Sequence, residues 1–164
     1  MRKPVIGVMG GSKVNKAVSQ SAERLGRLIA QRGWVLLNGG RNSGGMAASA
    51  KGAQEAGGTV IGILPDKTAN QASPHLDIAV VTGMGDARNL INVLSSDVVI
   101  ACKGALGTLC EIVLALTHGK MVILLEREVS LELERYERQG RLVTADSPED
   151  AVARAAAVLA GKRA

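Results

Sequence analysis

Four short segments of the chain combine glycine with a cationic side chain. They are Gly10-Gly11-Ser12-Lys13, Gly39-Gly40-Arg41-Asn42-Ser43-Gly44-Gly45 (followed by Met46), Gly83-Met84-Gly85-Asp86-Ala87-Arg88-Asn89 and Lys103-Gly104-Ala105-Leu106-Gly107-Thr108. Glycine lets backbone N–H groups approach a ligand closely, and a helix N-terminus favours an anion. A hydrogen bond to a charged group contributes about 1.5–3 kcal/mol, so several converging on one phosphate give useful affinity. A single loop of this kind reads equally well as a tight strand-to-helix turn. Four of them, each with a cation, point to a phosphate-bearing small molecule.

Some of these residues also have a purely structural reading. Thr108-Leu-Cys-Glu111 spells the S/T-x-x-E capping box of a helix start. Arg88 reads as a solvated helix arginine. Lys103 ends an apolar run beside a glycine turn and suits a ligand role better. His75 and His118 stand alone and read as surface residues, so no metal site is expected. Cys102 and Cys110, eight apart, make neither a disulfide framework nor a zinc site and read as two buried thiols in a reducing compartment. Two nucleotide motifs are missing. No G-x-G-x-x-G follows the first strand and no acid ends the second, which argues against NAD; no loop carries G-x-x-x-x-G-K-[ST], which argues against a Walker ATPase.

The elements that must position these loops follow from the apolar pattern. Segments 4–9, 34–38, 59–64, 78–82, 97–101 and 121–125 read as strands, and 141–144 as a last short one. Val18, Ala22, Leu25 and Ile29 share one face of a helix that Gly33 ends. Helices are predicted over 45–56, 86–95 and 107–118. Ser147-Pro148-Glu149-Asp150 is a strong start for an Ala-rich terminal helix. Strands alternating with helices imply a single-domain (1–164) Rossmann-like α/β fold, a parallel sheet with helices on both faces. All four loops then open on one edge of the sheet, where such folds bind ligands.

Composition narrows the class. The 164 residues lack Phe, and Trp34 and Tyr136 are the only aromatics, so Val, Ile, Leu, Ala and Met must build the core. The net charge is +5, with nine basic residues and only Glu23 as an acid over residues 1–54. No aromatic stacking platform or dense Lys/Arg run accompanies that charge, so nucleic acid is a poor match and a local anion a better one. The five acids of 126–137 read as a solvated helix face. No signal peptide and no apolar stretch near the ~20 residues of a membrane span is present, so a cytoplasmic location is expected.

The joint pattern of Gly39-Gly40, Gly44-Gly45-Met46, Lys51-Gly-Ala-Gln-Glu-Ala-Gly-Gly58 and Ile61-Gly-Ile-Leu-Pro65 resembles the LOG-type (Lonely Guy, formerly "lysine decarboxylase-like") Rossmann superfamily. Its signature P-G-G-x-G-T-x-x-E aligns with Lys103-Gly-Ala-Leu-Gly-Thr-Leu-Cys-Glu111. The enzymes of that superfamily are cytokinin riboside monophosphate phosphoribohydrolases with an intact Pro-Gly-Gly and an Arg-Lys pair. Here Lys103 and Ala105 replace Pro and the second Gly, and Asn89 follows Arg88. The Arg-Asn form looks more like the branch of molybdenum cofactor carrier proteins, which bind a phosphorylated molybdopterin without converting it.

The resemblance implies a carried molybdenum cofactor and no required cofactor. The four loops and the resemblance together place Gly10, Gly11, Ser12, Lys13, Gly39, Gly40, Arg41, Asn42, Gly44, Gly45, Met46, Arg88, Asn89, Lys103, Gly104, Gly107, Thr108 and Glu111 around the ligand. The alternative it implies is N-glycosidic cleavage of a nucleoside monophosphate with Arg88 and Glu111 as the catalytic pair; a nucleotide sensor is a third class. Relatives of this type are homodimers or homotetramers. The small stripe Met46, Ala47, Ala48, Ala50 and Ala53, and the apolar helix 107–118, are the expected contact surfaces.

Overall fold

Val, Ile and Leu runs make strands because branched side chains suit a sheet buried on both faces. The computed structural model describes residues 2–126, 128 and 130–161. Seven strands, β1 (Val5–Met9), β2 (Val35–Asn38), β3 (Thr59–Leu64), β4 (Ile78–Val81), β5 (Val98–Ala101), β6 (Met121–Leu125) and β7 (Leu142–Ala145), form one parallel sheet. Their order is β4-β3-β2-β1-β5-β6-β7. The winding reverses between β1 and β5, so the loops after these two strands diverge and leave a crevice between them.

Helices α1 (Lys16–Gln31), α2 (Gly44–Glu55) and α6 (Pro148–Gly161) pack on one face, and α3 (Arg88–Ser95), α4 (Leu106–Thr117) and the short α5 (Glu134–Arg138) on the other. On the first face, α1 buries the predicted Val18, Ala22, Leu25 and Ile29. Its first turn is capped by Asn15, whose side chain accepts from the Val18 N–H at 2.9 Å. Ser147 caps α6 in the same way, accepting from the Asp150 N–H at 3.2 Å. A Cβ on Gly26 would collide with the Ser49 carbonyl, and one on Gly52 with the Glu23 carbonyl. The backbones of α1 and α2 therefore touch.

That contact corrects one expectation. The stripe Met46, Ala48, Ala50 and Ala53 is buried inside this chain and does not await a second subunit. Other differences are local. Cys102 is buried, its thiol pushed up to about 12 by loss of water, but Cys110 is exposed on the outer side of α4. The sheet is not covered to its edge, because all four residues of β4 are exposed. The segment 86–95 divides into a 3₁₀ turn (Gly85–Ala87) and α3. Segment 126–137 is helical only from a 3₁₀ turn at Leu131–Leu133 onward; Arg127 and Val129 lie outside the described residues. Among the described residues no helix is long and apolar enough to cross a membrane.

Candidate functional site

A cavity of about 200 Å³ fills the crevice at the strand reversal. Its floor is Val8 and Met9 from the end of β1, with Met46 beside them. Gly10, Gly11 and Ser12 form one wall and Gly39 with Arg41 a second. Asp86, Arg88 and Asn89 close the third side, and Ala105, Gly107, Thr108 and Glu111 the fourth. Loops from four different strands thus meet at one place, as a parallel sheet requires.

The loop after β2 takes its course from Asn38, a residue that sequence reasoning treated only as a strand end. Fully buried, it donates through Nδ2 to the Met46 carbonyl (2.9 Å) and Ser49 Oγ (3.1 Å), and its Oδ1 accepts from the Gly40 N–H (2.8 Å). Gly44 has φ 51°, and a Cβ there would collide with the Gly11 carbonyl; the Gly45 N–H donates to that carbonyl at 3.0 Å. The two glycine loops are therefore pressed together, and Gly40, Gly44, Gly45 and Gly104 stand behind the wall of the cavity.

Three of the predicted residues point elsewhere. Lys13 is exposed and does not line the cavity. Asn42 lines a separate depression with Lys16 and Lys51, and Lys103 lines another with Glu126, Glu128 and Asp146. Lys103 contributes its carbonyl, which accepts from the Gly11 N–H at 3.3 Å.

Arg88 lies across Gly39. A Cβ at that position would collide with Nη1 and fall 2.9 Å from Nη2. Its Nε is buried without a hydrogen-bond partner, and among the described residues Arg88 makes no ion pair within 4 Å. Leaving a buried donor unpaired costs about 1–3 kcal/mol, so the position is retained against its own desolvation. Burial pulls the Arg88 guanidinium below its ordinary range, and the charge of Arg41 adds to that; Glu111, Asp86 and Asp66 oppose it. Arg41 is held from the outside by Asp66 through two bonds of 3.0 and 2.6 Å.

Glu111 is 7% exposed, and burial raises its carboxyl above the ordinary value, opposed by a hydrogen bond from Asn92 and by the charge of Arg88. Asn92, which the motifs did not reveal, donates through Nδ2 to Glu111 Oε1 at 2.9 Å. The capping-box reading of Thr108–Glu111 fails. α4 opens at Leu106 with Ala105 as its N-cap, so Thr108 already lies in the first turn and Glu111 inside the helix. No side chain caps α4, α2 or α3. The Gly45 N–H of α2 donates to the Gly11 carbonyl and the Arg88 N–H of α3 to the carbonyls of Gly85 and Asp86, whereas the first N–H groups of α4 are left for whatever occupies the cavity.

These features define the class: a Rossmann-type α/β domain with a polar, partly unsatisfied cavity at its topological switch point. Within it, the chain belongs to the SLOG cluster4 family, whose model matches residues 3–152. A solved molybdenum cofactor binding protein from Rippkaea orientalis is 49% identical, with a TM-score of 0.91 over 97% of this chain and 99% of that one. The molybdenum cofactor carrier protein from Chlamydomonas reinhardtii is 42% identical, with a TM-score of 0.89 over the same shares, 97% and 99%. A cytokinin riboside 5′-monophosphate phosphoribohydrolase from Mycobacterium tuberculosis is 33% identical over 110 residues, 66% of this chain and 59% of that protein. The LOG-type resemblance read from the glycine motifs agrees with these matches.

Proposed function

We propose that this chain binds and carries the molybdenum cofactor, holding the phosphate of its pterin between Arg88 and the open N-terminus of α4. The observation that carries this reading is the buried, unpartnered Nε of Arg88 facing a cavity whose helices lack side-chain caps. An incoming phosphate supplies acceptors for all of them at once. Likeness to carrier proteins over nearly the whole chain supports the choice of ligand. Asn89 and Glu111 then face the organic part of the ligand.

The second reading is phosphoribohydrolase activity, favoured by Arg88 and Glu111 lining one cavity without pairing to each other. Departure of a base from a nucleoside monophosphate leaves positive charge on the ribose, which the Glu111 carboxylate would stabilise. The altered Lys103-Gly104-Ala105 segment favours carriage over catalysis.

Two measurements separate the readings. Gel filtration of the protein with molybdenum cofactor should carry pterin fluorescence with the protein peak. Chromatography after incubation with adenosine 5′-monophosphate should show no free adenine; rapid adenine release would overturn the carrier reading. Arg88→Met should weaken binding of the retained phosphate ligand by about 10- to 100-fold, the loss of one charge-assisted contact, without lowering stability.

The chain acts in the cytoplasm as one unit over residues 1–164, with both thiols unpaired. It assembles as a two-fold dimer, doubled in a tetramer, through the face of α3 and α4. There Leu94, Leu106 and Val113 are 49%, 81% and 45% exposed. Light scattering that finds only a 17.0 kDa species at micromolar concentration would refute the assembly.

A further inference from the structure

We infer that the free edge of β4 is a contact for a second copy of this chain, the two strands pairing antiparallel with Val80 facing Val80 of the other copy. A tetramer of two-fold dimers needs a second contact besides the α3–α4 face, and the inference supplies it. It rests on the assembly reading to that extent.

β4 ends the sheet, pairing with β3 along one side only. A bare strand edge is a template for another strand, and proteins that keep it unpaired blunt it with charge, Pro or a covering segment. Ile78-Ala-Val-Val81 carries no charge and no Pro, and all four residues are exposed. Met84, just beyond, is exposed as well. Val60 packs toward α1 and α2, so its neighbour Ile61 faces the other side of the sheet. Ile78 and Val80 align with Ile61 and Ile63 and lie on that side, which α3 and α4 leave uncovered at β4.

The charges flanking the strand select the occupant. Asp77 is exposed just before β4 and is held beside the edge by the Val60 N–H, which donates to it at 2.7 Å. Lys67 is exposed beside Gly83, just after β4, with its Cγ 3.3 Å from where a Gly83 Cβ would stand. Neither makes an ion pair within 4 Å among the described residues. An apolar strand with an acid at its start and a base at its end complements its own antiparallel copy. Centred on Val80, residue 77 of each copy faces residue 83 of the other, so an Asp77 meets a Lys67 at both ends. Parallel pairing would set like charges together.

A pair of four-residue strands is small beside the ~1,200 Å² that a stable interface buries. It becomes effective where two such contacts act together, as when two dimers join. The symmetry permits this. Antiparallel edge pairing has its two-fold normal to the sheet, stacking through α3 and α4 has one parallel to it, and a closed tetramer of this kind needs perpendicular two-folds.

The test follows the mass of the full chain by light scattering at micromolar concentration. Wild type should reach four times the 17.0 kDa of one chain, and Val80→Lys should halve that mass. An unchanged mass in Val80→Lys overturns the inference and leaves the α3–α4 contact standing. An unchanged mass in Val113→Lys overturns the α3–α4 contact alone, and a wild type of single chains overturns both. If Val80→Lys does not fold, Val80→Cys decides, in a chain that also carries Cys110→Ser. Facing residues of paired strands stand within the about 4.4–6.8 Å Cα spacing that a disulfide spans. Diamide takes the hydrogens of the two thiols, and a two-chain band should appear without reductant. Its absence overturns the pairing. Val81→Cys, which faces Ala79 instead of itself, should cross-link far less, and equal cross-linking overturns the register.

Discussion

The two faces of the sheet are built to different rules. Beneath α1, α2 and α6, most polar requirements are met within the chain, although α2 also opens without a side-chain cap. Asn15 and Ser147 cap their helices, Glu23 and Glu55 pair with Lys51 and Arg27, and Arg24 meets Glu149 at 2.7 Å. Beneath α3 and α4, the helices open without side-chain caps, Arg88 Nε and Asn92 Oδ1 are buried without partners, and Leu106 and Val113 face outward. One face is finished as a scaffold. The other leaves donors, charge and apolar surface unmatched within the described residues, which is why the proposed ligand and subunit contacts are put there.

Breaking the finished face should have the largest effect. Gly52→Val forces a side chain into the Glu23 carbonyl and should cost about 3 kcal/mol or more in urea unfolding, because helix backbones in contact cannot yield locally. A loss below about 1 kcal/mol would mean that the α1–α2 contact relaxes easily.

The unfinished face should respond to pH. The folded value of Glu111 is raised above its ordinary 4.5, so the native state holds the proton more tightly than the unfolded chain. Its contribution is therefore fully present below pH 4.5 and lost as pH rises through the folded value. The stability of wild type minus that of Glu111→Gln should fall steadily across that range, and a flat difference would contradict the desolvation of this carboxyl.

The smallest effects come from helix starts. Asn15→Ala should destabilise by about 1 kcal/mol without touching ligand binding. Ala105 already has the extended backbone of an N-cap, with φ −92° and ψ −154°. Ala105→Ser should therefore add about 0.5–1 kcal/mol of stability and weaken phosphate binding, because its hydroxyl takes an N–H that the ligand uses. Stability gained without loss of binding would remove α4 from the phosphate site.

Much of the scaffold was legible in advance because strand and helix periods are short-range signals. The α1 face, the Val/Ile strands and the Ser147 cap follow from neighbouring residues alone. The four glycine loops were legible for the same reason, and most of the cavity lining lies in them. What escaped depends on distances across the fold. Val8 and Met9 line the cavity from outside the glycine loops, and Asn92 matters only because α3 lies beside α4. A helix start three residues before the one a Thr108 cap requires turned the supposed cap into a misreading. The small stripe of α2 has one appearance in sequence whether its partner is α1 or another subunit. Lys103 lost its expected aim, because the carbonyl rather than the side chain faces the glycine wall.

The exposed edge strand β4 is also tied by its chain to the cavity. The chain leaving it, residues 82–87, is moored to the end of β3 by the Thr82, Gly83 and Gly85 N–H groups, which donate to Leu64, Asp66 and Pro65. Arg88 follows directly. A four-residue strand with one free edge is the part of a sheet that opens at the lowest free energy. Fraying there, in a protomer whose edge is unpaired, would loosen the segment that leads to Arg88 while the remaining six strands stay paired. A phosphate held by Arg88 as proposed should therefore slow amide exchange along β4 as well as in the cavity itself.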